Sequence, residues 1–239
     1  MESYIIYKKM SNTIQVSSDF EPSSVIFSQL KKNKNGGKSV LLMHGNKKKL
    51  YLQLPFMRSP FGMSAFTDEA TNKTSYSLDL SFDTDNEDAM ALSTKLKELD
   101  EIIIKTVADN SKEWLGKAYD INVIREALYK PLVRQGKDEY PDTMKLKIMT
   151  KPSGDFLAEA YNSSRELISV DQIEKGQRCA CIVDVNQIWF IDNKFGVSVR
   201  LSQVLCQQSA KLPSFAFQGL DGDDTVEEEY VEEEEEVDE

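Results

Sequence analysis

The sequence predicts a mainly β protein, an antiparallel β-barrel that carries a helical insertion with one long and one short α-helix. Three observations lead to this prediction. Short segments of alternating apolar and polar residues fill both ends of the chain, a long amphipathic helical pattern lies between them, and no internal repeat is visible. Strands on both sides of a helical segment, joined mainly by short turns, are typical of a barrel with an inserted helix.

The first group of strands is expected before the helices. A basic, glycine-containing loop at residues 31–38 separates the first two segments, and Pro55 ends the third because proline cannot donate to a sheet. In the fourth segment Tyr76, Leu78 and Leu80 alternate with polar residues, which predicts a half-buried strand. The expected strands are residues 25–30, 40–43, 48–54 and 75–82.

The helical insertion is expected at about residues 85–128. Thr84 and Glu87 have the spacing of a capping box, which predicts the start of the long helix, and its end is expected near Asn110. Its buried stripe should be Ala89, Leu92, Leu96, Leu99, Ile103 and Val107. Asp120 is expected to cap the shorter helix. Its inward residues should be Val123, Ile124, Ala127 and Leu128.

The second group of strands is expected after Pro131. The predicted segments are residues 143–149, 178–185, 188–191 and 196–205, the last two joined by a turn at residues 192–196.

Charge divides the chain into two parts. Residues 221–239 contain thirteen of the 40 acidic residues and no Lys or Arg, so residues 1–220 keep 29 basic against 27 acidic residues, a net charge of about +2. Like charges at this density repel one another and cannot bury enough surface to fold. We therefore expect a folded domain at 1–220 and a disordered acidic tail at 221–239.

Composition predicts an intracellular protein that does not enter a membrane. Residues 1–7 lack the basic and apolar segments of a signal peptide, and the longest apolar runs are too short to cross a bilayer. Three cysteines, an odd number, favour a reducing compartment. Cys179, Cys181 and Cys206 are expected to be buried, reduced thiols and not metal ligands.

Enzymatic chemistry has little support in the sequence. His44 is the chain's one histidine, and a Ser-His-Asp or Cys-His mechanism would depend on it. The segment at residues 36–39 resembles the end of a phosphate-binding loop, but Lys32 stands where that loop needs glycine and a strand, not a helix, follows. We expect no catalytic residue, no bound metal and no cofactor.

The polar faces of three predicted strands carry cations. If the leucines, methionines and valines face the core, the period of two turns Lys49 and Tyr51, then Lys145 and Lys147, and then Arg200 toward solvent. Cations that neutralise phosphates and aromatic rings that stack on bases are typical of nucleic-acid binding. With flanking loops added, the candidate residues are Lys47, Lys48, Lys49, Tyr51, Phe56, Arg58, Tyr129, Lys130, Arg134, Lys145, Lys147, Trp189, Phe195 and Arg200.

The pattern leaves alternatives open. Cations outside and leucines inside also describe any half-exposed sheet. Trp189 lies in a segment that is apolar on both faces, so core packing competes with base stacking, and Phe195 in a turn presents the same choice. The tail could compete with nucleic acid for the basic surface, recruit basic partners, or only increase solubility.

Several segments, taken in order, carry a family resemblance. Residues 129–133 precede residues 140–148, and residues 176–179, 188–190 and 196–201 lead into residues 203–205. Over about residues 25–210 the chain resembles the single-stranded-DNA-binding proteins of large nucleocytoplasmic DNA viruses. The resemblance implies an OB-fold-like barrel that coats single strands during viral DNA replication, repair or recombination. The layout is also similar to phage single-stranded-DNA-binding proteins, which typically end in an aromatic residue, whereas this chain ends Val237-Asp238-Glu239.

The leading hypothesis is therefore a non-enzymatic, sequence-independent single-stranded-DNA-binding protein. RNA as a ligand and homo-oligomerisation stay open. Replication or repair proteins are the expected partners of the tail, and the expected location is viral replication sites in the cytoplasm or nucleus of a host cell. The alternative is an acidic-tailed chaperone for basic proteins such as histones, and an enzyme of unrecognised type is a third reading.

Overall fold

The computed structural model describes residues 14–208 except residues 33, 35 and 46. The expected domain boundary at 220 and the acidic tail at 221–239 lie outside the described residues. Within them the protein is mainly β, with a few helices between two groups of strands, as the sequence predicts.

Nine strands precede the helices. They are β1 (Ile14–Val16), β2 (Ile26–Phe27), β3 (Lys31–Lys32), β4 (Lys38–His44), β5 (Lys48–Lys49), β6 (Tyr51–Gln53), β7 (Met57–Arg58), β8 (Met63–Asp68) and β9 (Lys73–Ser81). Short 3₁₀ turns at Ser17–Asp19 and Pro22–Ser24 lie between β1 and β2. Strand β8 arises in a segment rich in Ser, Pro and Gly that sequence patterns assign to a loop.

Six strands follow the helices. They are β10 (Tyr129–Lys130), β11 (Thr143–Ile148), β12 (Glu159–Tyr161), β13 (Leu167–Ile168), β14 (Arg178–Ile191) and β15 (Lys194–Cys206), with a 3₁₀ turn at Val170–Gln172. The two segments expected at residues 178–185 and 188–191 form one strand, β14. An irregularity in its pairing with β15 lies between Val185 and Gln187, and it lets the long strand bend without ending.

The long helix is α1 (Glu87–Asp109), and all six residues of the predicted apolar stripe are buried. Its start differs from the prediction. Asn86, not Thr84, is the N-cap, because its side-chain oxygen accepts from the backbone N–H of Ala89 at 3.2 Å. Glu87 therefore opens the first turn, where its charge favours the positive end of the helix dipole.

Two short helices complete the insertion. They are α2 (Ser111–Trp114) and α3 (Ile121–Val123), and α3 continues as a π-helical turn at Ile124–Leu128. Asp120 caps α3 as predicted, accepting from Asn122 N at 2.8 Å. The expected inward face is wrong for Val123 and Ala127, which are exposed, whereas Ile124, at the start of the π-helical turn, is buried as predicted.

The sheet is mixed and not purely antiparallel. β1 pairs with β6, and β10, β11 and β12 each pair with β15, in parallel orientation. The remaining pairings are antiparallel, β14 with β15 being the longest. One series of pairings returns to its start, from β14 through β7, β9, β11 and β15 back to β14.

The alternation of side chains separates an apolar inner face from a polar outer face. Leu78 and Leu80 of β9 and Leu146 of β11 point inward and are inaccessible to solvent. Lys147 and Ser77, opposite each other on the same two strands, point outward. No helix within the described residues is both long and apolar enough to cross a membrane.

Candidate nucleic-acid interface

A row of residues crosses the outer face through five neighbouring strands. Ser77 of β9 lies opposite Lys147 of β11, which lies opposite Arg200 of β15. Arg200 in turn lies opposite Asp184 of β14, and Asp184 opposite Tyr51 of β6. Residues directly opposite in neighbouring strands point to the same face. The structure therefore brings together Tyr51, Lys147 and Arg200, although Tyr51 and Arg200 are 149 residues apart along the chain.

Three cations near this row form what we call the cation cluster: Lys147, Arg200 and Arg134. A backbone bridge between Arg134 and Thr143 holds Arg134 beside the start of β11. Burial, followed by the positive charges of Arg200 and Arg134, lowers the pKa of Lys147. The three charges therefore repel one another, and a bound anion would relieve that repulsion.

The cluster forms no salt bridge with the residues described, although Asp184 lies opposite Arg200 in the sheet. None of its members takes part in a salt bridge there, and the Nε of Arg200 is buried without a hydrogen-bond acceptor. Asp184 is the acidic member of the row; it is buried, its Oδ2 accepts from Asn186 and its Oδ1 has no donor. The charges of the cluster are therefore not neutralised by a salt bridge within the described residues and can attract an anionic ligand.

A second row on the outer face carries Trp189, and we call it the Trp189 row. Lys31 of β3 lies opposite Ser39 of β4, and Ser39 opposite Trp189 of β14. Trp189 lies opposite Gly196 of β15, and Gly196 opposite Lys130 of β10. Trp189 is half-buried, and Lys31 and Lys130 are exposed. The indole thus lies on the outer face, between two cations.

The neighbouring row points inward and contains Tyr129 and Phe195, which the sequence analysis placed in the interface. The structure corrects this assignment. Phe195 is inaccessible and stacks on Phe190, with ring centroids 5.7 Å apart, and Tyr129 packs beside Phe195 at 5.1 Å. The alternation that turns Trp189 and Lys130 outward turns these rings inward. Neither ring can stack on a base in this structure.

Tyr129 has a further partner that explains its burial. Its hydroxyl donates to Asp100 Oδ1 of α1 at 2.5 Å, and the backbone N–H of Leu132 donates to the same carboxylate at 3.2 Å. Burial, the largest effect, raises the pKa of Asp100 to about 6. The Tyr129 side chain therefore joins the helix to the sheet.

Two predicted cations are engaged in salt bridges. Arg58 donates to both carboxylate oxygens of Asp83, at 3.0 Å and 2.7 Å, and these hydrogen bonds raise its pKa. Lys145 donates to Asp79 at 2.9 Å and to Ser77 at 3.2 Å. Both cations lie on the outer face, but a phosphate would have to compete with a carboxylate for them.

The remaining predicted residues lie on exposed edges. Lys47, Lys48 and Lys49 are exposed at the hairpin between β4 and β5, and Lys49 Nζ lies 5.9 Å from the centre of the Tyr51 ring. Phe56 is exposed beside the start of α1, where Asn86 donates to its carbonyl.

Sequence reasoning missed three outer-face residues. Phe66 of β8 is 68% exposed and lies opposite Ser75, two residues from the position that faces Lys147. Lys31 begins the Trp189 row. Arg178 of β14 lies opposite Arg58 of β7. The basic segment at residues 31–38 was the signal for Lys31; Phe66 gave none, because its strand follows no clear apolar alternation.

Among the described residues, no group of three or more His, Cys, Asp or Glu side chains could hold a metal ion. His44 has a structural environment, with Gln15 Nε2 at 3.0 Å from one ring nitrogen and Ser24 Oγ at 3.4 Å from the other. The three cysteines are free and buried, as predicted, and burial raises the pKa of Cys206 to about 12.

Comparison with known proteins gives structural neighbours among phage proteins. One is the single-stranded DNA-binding protein from bacteriophage Enc34 in complex with ssDNA, at 15% identity over 78% of this chain and 97% of that chain, with a TM-score of 0.43. Another is gp2.5, a single-stranded DNA binding protein encoded by bacteriophage T7, at 12% identity over 80% and 100% of the two chains, with a TM-score of 0.45. No curated protein matches the sequence.

Membership in the single-stranded-DNA-binding family of large nucleocytoplasmic DNA viruses stays a prediction. A family of unknown function, DUF5871, has a model that matches residues 72–219, more than half of the chain, and the protein therefore belongs to that family.

Proposed function

We propose that the protein binds single-stranded nucleic acid without sequence preference, and that the closed series of strands is an OB-type barrel. The observation that carries the proposal is the cation cluster, whose three charges form no salt bridge in the described structure and share an outer face with exposed aromatic rings. OB barrels bind oligonucleotides on the outer face of their second and third strands. In this chain those strands correspond to β9 and β11 of the closed series.

The chemistry of the cluster fits a phosphate backbone. Cations that meet phosphates release condensed counterions, so the logarithm of the affinity falls by about 0.7 per phosphate contact for each tenfold rise in salt concentration, for a single strand. Lys147 and Arg200 face one way from neighbouring strands, so consecutive phosphates can meet both. The bases of the same strand would then lie toward Tyr51 and Phe66, whose rings offer stacking independent of sequence.

The finer assignments are part of this proposal. We assign Lys47, Lys48 and Lys49 to phosphates at one end of the strand, and treat Arg58 and Lys145 as secondary contacts because each already has a carboxylate. The protein would act without catalysis, at sites of viral DNA replication, repair or recombination. Its tail would compete for the outer face and recruit replication proteins once displaced.

The decisive experiment measures binding of fluorescently labelled oligo-dT by anisotropy at about 50 mM and about 200 mM salt, with duplex DNA and RNA as competitors. We expect salt-sensitive binding to oligo-dT and weak binding to duplex. Arg200→Ala and Lys147→Ala should each weaken binding and reduce the salt slope by about 0.7.

The matched control is Lys105→Ala, which removes an exposed lysine of α1 and should leave both quantities unchanged. Absence of binding by a protein lacking residues 221–239, at the lower salt concentration, would refute the proposal. Equal losses in the Lys105 variant would show that net charge, and not the cluster, determines affinity.

A further inference from the structure

In the Trp189 row, the indole of Trp189 covers the neighbouring strand at Gly196. A Cβ atom added at Gly196 would lie 2.9 Å from Trp189 Cζ2 and 2.9 Å from the carbonyl oxygen of Lys130. The backbone at Gly196 does not have a positive φ, so space, not conformation, requires glycine there. The indole therefore lies across its neighbour strand in the gap that the missing side chain leaves.

The strand that carries Trp189 is packed against aromatic rings on its inner side. Phe190, next to Trp189, stacks on Phe195 and meets Trp114 of α2 edge to face, with ring centroids 6.0 Å apart. These ring contacts fix the inner side of strand β14, while Trp189 occupies its outer side. A side chain on a fixed strand loses little conformational freedom when a ligand binds it.

Charge on both sides of Trp189 indicates what kind of molecule it meets. Lys31 and Lys130 end the row and are exposed, and neither has a salt-bridge partner among the described residues. An aromatic ring between two free cations matches a base between two phosphates. A duplex hides the faces of its bases in the stack, so only an unpaired base can lie on the indole.

The position along β15 connects this row to the cation cluster. Gly196 and Arg200 are four residues apart on one strand, so the two rows lie about 13 Å from each other. A single strand that contacts Arg200 can continue along the β14–β15 hairpin to Trp189.

From these observations, which rest on the function proposed above, we infer that Trp189 is the stacking platform for one unpaired base of the bound strand. Lys31 and Lys130 bind the phosphates on its two sides. The Trp189 row thus extends the interface beyond the closed series of strands and makes it selective for single strands over duplex.

The intrinsic fluorescence of the protein tests this inference. The chain has two tryptophans, and Trp114 is buried, so a base that stacks on Trp189 should quench the emission of that residue alone. With oligo-dT we expect quenching in the unaltered protein and none in Trp189→Ala. The affinity of Trp189→Ala, measured by anisotropy of the labelled oligonucleotide, should fall about 5- to 150-fold, the equivalent of one stacked base.

Two further variants separate stacking from a general loss of structure. Trp189→Phe keeps a ring and should recover most of the affinity, whereas Gly196→Val pushes the indole from its place and should lose affinity as Trp189→Ala does. The matched control is Leu167→Ala, which removes an exposed apolar side chain of β13 and should change nothing. In Trp189→Ala and Trp189→Phe the emission of Trp114 alone reports folding, and circular dichroism reports it for Gly196→Val and Leu167→Ala.

The outcomes distinguish this inference from the proposed function. If anisotropy shows tight binding of oligo-dT while Trp189 emission and the affinity of Trp189→Ala stay unchanged, the platform is overturned and the proposed function stands. If the unaltered and tail-deleted proteins give no anisotropy change at low salt, the proposed function itself fails, and the platform with it.

Discussion

At the residue scale, Asp100 shows how a polar group is accommodated in the core. Its carboxyl is buried beneath the sheet and accepts hydrogen bonds from Tyr129 and the backbone of Leu132. Burial penalises the ionised form more than these bonds favour it, and the pKa rises from 3.8 to about 6. The contact that joins α1 to β10 therefore depends on pH.

We predict that stability falls with rising pH between about 4 and about 6. Below this range the carboxyl is protonated in both states. Within this range the unfolded chain releases a proton that the folded protein keeps. The free energy of unfolding therefore falls by up to about 3 kcal/mol, and it stays at the lower value above pH 6. Asp100→Asn should flatten this fall. Urea unfolding of both proteins at several pH values measures it, and an unchanged slope in the variant would contradict the assignment.

Other carboxyls act mainly at lower pH, although Glu101, whose pKa the hydrogen bond from Arg125 lowers, overlaps the lower part of this range. Burial acts to raise the pKa values of Asp83 and Asp142, but hydrogen bonds and nearby positive charge, chiefly from Arg58 and Lys97 respectively, together outweigh it and hold both pKa values below their ordinary range. Their contribution to stability is present above the unfolded pKa of about 3.9 and is lost as pH falls below it. The difference between the unaltered protein and Asp100→Asn over pH 4 to 6 therefore reports on Asp100.

At the scale of elements, the start of α1 depends on a single side chain. Asn86 Oδ1 accepts from Ala89 N, and Asn86 Nδ2 donates to the carbonyl of Phe56 at 2.8 Å, so one residue both caps the helix and ties it to the chain that follows β6. The capping box expected from Thr84 and Glu87 does not form, because Asn86 occupies the capping position two residues later.

We predict that Asn86→Ala lowers the free energy of unfolding by about 1–2 kcal/mol, since both hydrogen bonds are lost. Asn86→Asp keeps the acceptor and should lose less. Thr84→Ala is the control and should change stability by less than about 0.5 kcal/mol. Urea unfolding at neutral pH provides the values. A larger loss of unfolding free energy in Thr84→Ala than in Asn86→Ala would show that Thr84, and not Asn86, caps the helix.

Alternation within strands was predictable, and pairing between strands was not. Leu146 inside and Lys147 outside follow from a period of two, and the structure has both. The same rule failed at Phe195 only because the sequence analysis placed that residue in a turn, whereas β15 begins at Lys194. Salt bridges such as Lys145 to Asp79 join residues 66 positions apart, and no local sequence pattern predicts them.

At the scale of the whole molecule, charge is divided between residues 1–220 and the acidic segment at residues 221–239. The chain has a net charge of −11, and removing residues 221–239 changes it to about +2. An attached polyanion raises the local concentration of carboxylates near any basic surface it can reach. The proposed competition between tail and nucleic acid follows from this arrangement.

We predict that deletion of residues 221–239 tightens binding to oligo-dT, and that the gain shrinks as salt screens the tail. The matched control is a full-length variant with its thirteen tail carboxylates replaced by amides, which should behave like the deletion. Anisotropy titrations measure both proteins. Unchanged or weaker affinity would argue against competition, and loss of binding to basic proteins without any binding to DNA would favour the chaperone hypothesis.

What the amino-acid sequence determined by itself was the mainly β class, the buried stripe of the long helix, and which side chains turn away from the core in the strands with clear apolar alternation, such as β9 and β11. These are local properties, set by the periods of two and 3.6 residues. Only the tertiary structure decided that Lys147 lies beside Arg200, that Trp189 rests across Gly196, and that Arg58 is occupied by Asp83. Each of these depends on which distant strands pair and in what register, and that choice is made by the packing of the whole core.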